Sequence, residues 1–207
     1  MSSPLPTTLI LKKMGPARWA RLGEQRTGPE RPFVRYEIVE KISHPNFKLP
    51  SVYNDIALYK LDRDVQFSPF IRPICLQPDH QSSNISAIAT SWDINYDGEL
   101  LDSLHEFHMD IKQCNETLPL STSMKFRLKD GDMEDFIVCA SRRYCARPSI
   151  VPGSPLQLKL KNPYCMYSQV GVASIASFGK GCVGEDDLVV YTRISHFLPW
   201  IQSIVWP

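Results

Sequence analysis

The sequence predicts an all-β fold that ends in one short amphipathic helix. Residues 33–39 and 55–61 alternate approximately between apolar and polar side chains, and residues 169–175 form a run of strand-forming residues. Such runs, separated by Pro, Gly and Asn, are typical of a β-sandwich or β-barrel. Ser195 is the predicted N-cap of the closing helix. After it, apolar residues recur at i, i+3, i+4 and i+7: Phe197, Trp200, Ile201 and Ile204.

Composition limits what the chain can build. Its 207 residues are 43% hydrophobic and 10% aromatic, which suits one large all-β domain or two small barrels. The formal net charge of +1 gives no reason to expect a nucleic-acid partner. No apolar run approaches the roughly 18 residues of a membrane helix, so we expect no membrane span. The basic residues near the start are expected to lie on a solvated face: Lys12, Lys13, Arg18, Arg21 and Arg26.

Metal and cofactor chemistry has little support in the sequence. No His/Cys cluster has the spacing of metal ligands, and Glu24 is a single carboxylate. We therefore expect neither a metal nor a cofactor.

The six cysteines suggest disulfides and hence an oxidising compartment. However, residues 1–11 lack the basic region and long apolar run of a secretory signal. This mismatch predicts that the N-terminus is incomplete.

Four segments, in a fixed order, carry a family resemblance. Residues 53–58 read Y-N-D-I-A-L, residues 71–76 I-R-P-I-C-L, residues 89–93 A-T-S-W-D and residues 190–195 V-Y-T-R-I-S. Together they resemble trypsin-like serine proteases. Residues 44–47 and 177–182 are similar to the clip-domain subfamily of extracellular cascade proteases. The resemblance covers residues 18–207 and implies a double six-stranded β-barrel with a C-terminal helix.

The resemblance also divides the chain. Residues 1–17 are an irregular start, 18–78 a remnant of the N-terminal barrel, 79–195 the C-terminal barrel and 196–207 the helix. Residues 18–207 together form one peptidase domain. The family's I-V-G-G start and A-A-H-C segment have no counterpart, so we expect the N-terminal barrel to lack its first strands.

Two of the three catalytic positions implied by the resemblance are altered. Asp55 matches the triad aspartate, but the triad histidine would fall near Ile10 and no histidine precedes His44. Anchoring the family motif G-D-S-G-G-P-L on residues 155–156 places Pro152 at the nucleophile and Val151 at the preceding aspartate. That aspartate captures the new N-terminal amine in family members. The chain lacks both partners, so this activating ion pair is lost as a unit.

Acyl transfer needs a nucleophile and backbone N–H donors for the oxyanion, and proline supplies neither. A shifted register with Ser154 as nucleophile fails as well, because Pro152 would then be the partner donor. Losing one donor typically costs about 10²–10³ in turnover. Asp55 is expected to be a buried relic held by backbone donors and Ser177. His44 is expected to have a surface role rather than that of a general base. The other histidines match no triad position: His80, His105, His108 and His196.

The resemblance implies a degraded substrate pocket. Its remnants are Ser177, Phe178 and Gly179 on one wall, while Val189 replaces the glycine of the other wall and would project into the cavity. Either Ala146 or Arg143 lies at the pocket base, depending on which anchor is used. Neither is acidic, so binding of Arg or Lys side chains is not supported.

The resemblance pairs four of the six cysteines. It implies the disulfides Cys114–Cys139 and Cys145–Cys182, although Cys145 lies farther before Pro152 than in the family. Cys75 and Cys165 are then candidates for free thiols. Two N-glycosylation sequons would be usable in a secreted chain: Asn84 and Asn115.

The prediction is a catalytically inactive trypsin-like serine protease homologue, a pseudo-protease. By resemblance it would be extracellular and would bind or regulate active proteases or their substrates in a proteolytic cascade. Two alternatives stay open: an active serine endopeptidase, and a truncated duplicate or incomplete gene model without a function of its own.

Overall fold

The structure is a computed structural model. It describes residues 17–24, 33–80, 85–94, 100–114, 128, 133–142, 150–161, 164–176 and 187–206. The strands are β1 (Trp19–Leu22), β2 (Val34–Ser43), β3 (Ala57–Leu61), β4 (Cys75–Leu76), β5 (Ser86–Ile94), β6 (Leu100–Lys112), β7 (Ile137–Arg142), β8 (Pro155–Lys159), β9 (Tyr167–Ala176) and β10 (Asp187–Arg193). The helices are α1 (Met133–Phe136) and α2 (Ile194–Val205).

Six strands form a closed antiparallel barrel. Their order is β10-β7-β6-β5-β8-β9, and pairing between β9 and β10 closes the ring. Because side chains alternate across a strand, every second residue points into the barrel and builds its core. These residues include Ala87 and Ala89 of β5, Phe107 and Met109 of β6, and Tyr191 of β10. The prediction of an all-β fold with a closed barrel and a C-terminal helix is confirmed.

The amino-terminal strands form a separate sheet with the order β1-β2-β3. Both pairings are antiparallel. Tyr36 is the fully buried residue of β2, and its hydroxyl accepts a hydrogen bond from the Gln66 amide at 3.2 Å. In the described part of the chain this sheet has three strands, where the resemblance implies a six-stranded barrel.

The segment that carries Asp55 connects β2 to β3 and packs against the barrel. Val52 packs against barrel residues of β7 and β10, and Ile56 packs against Val172 of β9 and the buried face of α2. In addition, β4 pairs in parallel with β9. The site is therefore placed where the smaller sheet, the barrel wall and the helix meet.

The closing helix begins earlier than predicted. Its N-cap is Arg193, which is in extended conformation and makes no side-chain capping bond, so the prediction of Ser195 as N-cap is wrong. The physical reason is that β10 continues directly into α2, with Arg193 anchored by a hydrogen bond from its Nη2 to the Ile137 carbonyl at 2.9 Å. Phe197 and Ile201 are buried as the periodicity predicts, whereas Ile204 is exposed.

Candidate functional site

Asp55 is a buried carboxylate that the barrel strands hold in place. Its residue is 4% exposed, and Asn54 before it adopts a left-handed φ of 62°, which asparagine tolerates better than most residues. Ser174 of β9 donates a hydrogen bond from Oγ to Asp55 Oδ2 at 2.6 Å. Thr192 of β10 donates from Oγ1 to the Asp55 carbonyl at 2.9 Å. Two neighbouring barrel strands thus fix both the side chain and the backbone.

Ser174 of β9 is a serine that contacts Asp55. The sequence prediction named Ser177, which lies outside the described residues, so its contact with Asp55 stays a prediction. Ser174 lies within the strand-forming run of residues 169–175, and no sequence motif singled it out. The fold brings Ser174 to Asp55 across 119 positions of sequence.

Lys41 supplies positive charge close to Asp55. The β2–β3 register places Lys41 opposite Tyr59 and Ser43 opposite Ala57, so Lys41 lies on the same face of the sheet as those residues. Burial lowers the pKa of Lys41, and the nearby charge of Asp55 opposes this by raising it. Burial also raises the pKa of Tyr59. Lys41 was not among the residues predicted from the sequence.

Residues 151–154 form a tight turn where the family resemblance places the nucleophile. Ser154 N donates to the Val151 carbonyl at 3.1 Å, and Gly153 has a φ of 91°. Proline at the second position and a left-handed glycine at the third define a type II turn. Pro152 is buried at the position that the resemblance assigns to the nucleophile.

The backbone N–H groups of this turn are all used within the protein. Val151 N donates to Ser91 Oγ at 3.0 Å, Gly153 N to the Ala173 carbonyl at 2.8 Å, and Ser154 N to Val151. Pro152 has no N–H. Ser154, the alternative nucleophile, is 5% exposed and donates from Oγ to Ser91 Oγ at 2.9 Å. No N–H of residues 151–154 is therefore left to bind a developing oxyanion in this conformation.

The histidines pack mostly against aromatic rings. The ring of His44 lies 5.2 Å from Phe197 and 5.0 Å from Trp200. Its Nδ1 accepts a hydrogen bond from the Asn46 amide at 3.3 Å. Burial lowers the pKa of His44, and His196 lowers it further. His44 thus packs against helix α2, a contact that the surface role expected from the sequence did not include.

His196 packs against two aromatic rings, and His105 contacts a serine hydroxyl. His196 lies 4.2 Å from Phe136 and 4.8 Å from Phe197, measured between ring centroids. Burial lowers its pKa, Asp135 opposes this, and His80 and Arg193 reinforce it. His105 Nε2 lies 3.1 Å from Ser103 Oγ.

Val189 is a core residue of the barrel. It is 1% exposed and packs in the interior cluster that also contains Ile150, Val170 and Tyr191. The other predicted pocket positions lie outside the described residues: Ala146, Arg143, Ser177, Phe178 and Gly179. Obstruction of a substrate pocket by Val189 accordingly stays a prediction.

The disulfides correct one prediction. Cys75 and Cys165 are bonded to each other, with Cα atoms 5.7 Å apart, so the prediction of two free thiols is wrong. The parallel pairing of β4 with β9 brings these residues together across 90 positions of sequence, which spacing alone could not show. Cys114 is bonded to Cys139, the pair that the resemblance implies. The predicted pair Cys145–Cys182 and the sequons at Asn84 and Asn115 lie outside the described residues.

Metal ligands are not grouped in the described ranges. No cluster of three or more His, Cys, Asp or Glu there could hold a metal ion. Glu24, the single carboxylate considered from the sequence, forms a salt bridge with Arg21 at 3.0 Å. Among the helices that the structure describes, none is long and apolar enough to cross a membrane.

Comparison with protein families matches residues 14–201 to the family Trypsin. With the closed barrel, the C-terminal helix and the buried aspartate, this match shows that the chain belongs to the trypsin family of serine proteases.

Similar proteins include a clotting factor subunit, a serine proteinase and a protein named as a putative inactive serine protease. The clotting factor G beta subunit of Tachypleus tridentatus is 29% identical over 84% of this chain and 57% of its own length. The serine proteinase stubble of Drosophila melanogaster is 29% identical over 84% of this chain and 22% of its own length. The putative inactive serine protease 58 of Mus musculus is 27% identical over 79% of this chain and 63% of its own length. The chain thus spans less than two thirds of each of these relatives.

Proposed function

We propose that the chain is a catalytically inactive serine protease homologue. The observation that carries the proposal is the use of every N–H in the 151–154 turn by an internal acceptor, with proline at the nucleophile position. Removing one oxyanion donor costs about 10²–10³ in turnover, and removing the nucleophile costs more. The name of the mouse relative, a putative inactive serine protease, supports the same conclusion.

The proposed role is binding, and its partners are active proteases of the family or their protein substrates. The clotting factor relative supports a place in a proteolytic cascade, and the segments at 44–47 and 177–182 favour the clip-domain subfamily. Two disulfides, Cys75–Cys165 and Cys114–Cys139, support an extracellular location, because such bonds persist in oxidising compartments.

The experiment is labelling with a fluorophosphonate probe, combined with turnover of a peptide substrate library and with trypsin as the positive control. We expect no label and no turnover for the chain. The variant Pro152→Ser is expected to stay inactive, because restoring a hydroxyl supplies neither a general base nor the other donors. Stoichiometric labelling that disappears in Ser154→Ala would show instead that the chain is an active endopeptidase.

The binding role is tested separately, with the immobilised chain and purified family zymogens from the same extracellular fluid. Saturable binding that survives in Pro152→Ser supports the role. Absence of binding to any family protease or substrate, in a folded chain, would contradict it and would favour a truncated duplicate.

A further inference from the structure

One buried hydroxyl, that of Ser91, is hydrogen-bonded to both ends of the 151–154 turn. Ser91 of β5 is 2% exposed, and its Oγ accepts hydrogen bonds from Val151 N at 3.0 Å and from Ser154 Oγ at 2.9 Å. The Ser91 hydroxyl itself donates to the Trp92 carbonyl at 3.2 Å. A hydroxyl has one donor and two acceptor positions, so it can make these three bonds at the same time.

The two residues that Ser91 binds are the first and the last of the type II turn. Since a single oxygen bonds to both, the turn can neither open nor move away from β5 without breaking a bond. Ser91 lies in the barrel wall, opposite His105 of β6, so the anchor belongs to a rigid element.

The opposite side of the turn is bound to β9. Gly153 N donates to the Ala173 carbonyl, and Ala173 N donates to the Ser154 carbonyl, both at 2.8 Å. Ala173 precedes Ser174, which holds Asp55. Hydrogen bonds therefore connect Ser91 through the turn to Ala173, whose neighbour along β9, Ser174, binds Asp55.

We infer that Ser91 is a positioning residue that locks the 151–154 turn in one conformation without a charged partner. The resemblance places an aspartate at Val151 that pairs with a newly formed N-terminal amine. The described groups that hold the turn are neutral, and neutral hydrogen bonds do not depend on a free α-amino group. The turn accordingly has its final conformation without proteolytic processing of the chain. This inference goes beyond the proposed inactivity and is independent of it.

The test is hydrogen exchange of the Gly153 and Ala173 amides in the full chain. Ser91→Ala removes both acceptor bonds and leaves the Ser154 hydroxyl buried without its partner, which corresponds to a loss of about tenfold or more in local protection. We expect the two amides to exchange about tenfold faster, while the Ile111 and Ala140 amides of β6 and β7 keep their protection.

The matched control is Thr90→Val. Thr90 precedes Ser91 on the same strand, and its Oγ1 accepts a hydrogen bond from Gln157 Nε2 at 3.4 Å. Exchange of Gly153 and Ala173 should change by less than about twofold in this variant, because it leaves both Ser91 bonds in place. If Ser91→Ala does not fold, Ser154→Ala removes one of the two bonds, and a smaller increase of about threefold is expected.

A second arm compares the chain with a version that carries an N-terminal extension, which moves the free α-amino group away from residue 1. Equal exchange of Gly153 and Ala173 in the two versions is expected. Either of two results overturns the inference: exchange that depends on the N-terminal extension, or exchange in Ser91→Ala that stays within twofold of the unmodified chain.

Discussion

Removal of the Ser174 hydroxyl should destabilise the protein more than removal of a comparable buried hydroxyl. Ser174 and Asp55 are each 4% exposed, and the Oγ–Oδ2 distance is 2.6 Å. Hydrogen bonds to charged groups contribute about 1.5–3 kcal/mol, and a buried carboxylate that loses its donor is costly. We expect Ser174→Ala to lower the free energy of unfolding by about 2 kcal/mol. For a chain of this size the Tm should fall by about 4–8 °C.

Urea denaturation and thermal unfolding measure this change, with Ser168→Ala as the control. Ser168 lies on the same strand and is 2% exposed. A double-mutant cycle with Asp55→Asn should give a coupling energy of about 1–2 kcal/mol, because the two side chains are in direct contact. Two results would contradict this prediction: a cost of Ser174→Ala no larger than that of Ser168→Ala, or additive effects of Ser174→Ala and Asp55→Asn.

Two further predictions concern the surroundings of the site. The folded-state pKa values of His44 and His196 lie below the ordinary 6.5, so their contribution to stability is complete above that pH and is lost as the pH falls through the folded-state values. The Tm should therefore fall as the pH is lowered below 6.5. The fall should be smaller in His44→Phe, which keeps the ring contacts with Phe197 and Trp200, and an identical fall in both proteins would contradict this. Replacement of both Cys75 and Cys165 by Ser should lower the free energy of unfolding by about 2–5 kcal/mol, since the disulfide spans 90 positions. A loss below about 1 kcal/mol in urea denaturation would show that the β4–β9 pairing does not depend on the bond.

Much of the fold was predictable from local sequence. Alternating runs predicted strands, and the apolar spacing of Phe197 and Ile201 predicted the buried face of α2, because side-chain direction follows the period of the backbone. The start of the helix was not predictable in this way. Ser195 has the right chemistry for a cap, but Arg193 is fixed by a bond to Ile137 on another strand, and that contact sets the boundary.

The candidate site shows the same division. The amino-acid sequence alone shows which chemistry is available: Asp55 is present, and Pro152 occupies the position where the resemblance places a nucleophile. The contacts among these groups depend on the fold. Three of them join residues at least 60 positions apart: Ser174 with Asp55, Ser91 with the turn, and Cys75 with Cys165. Such contacts follow from strand register and barrel closure, which residue spacing along the chain does not specify.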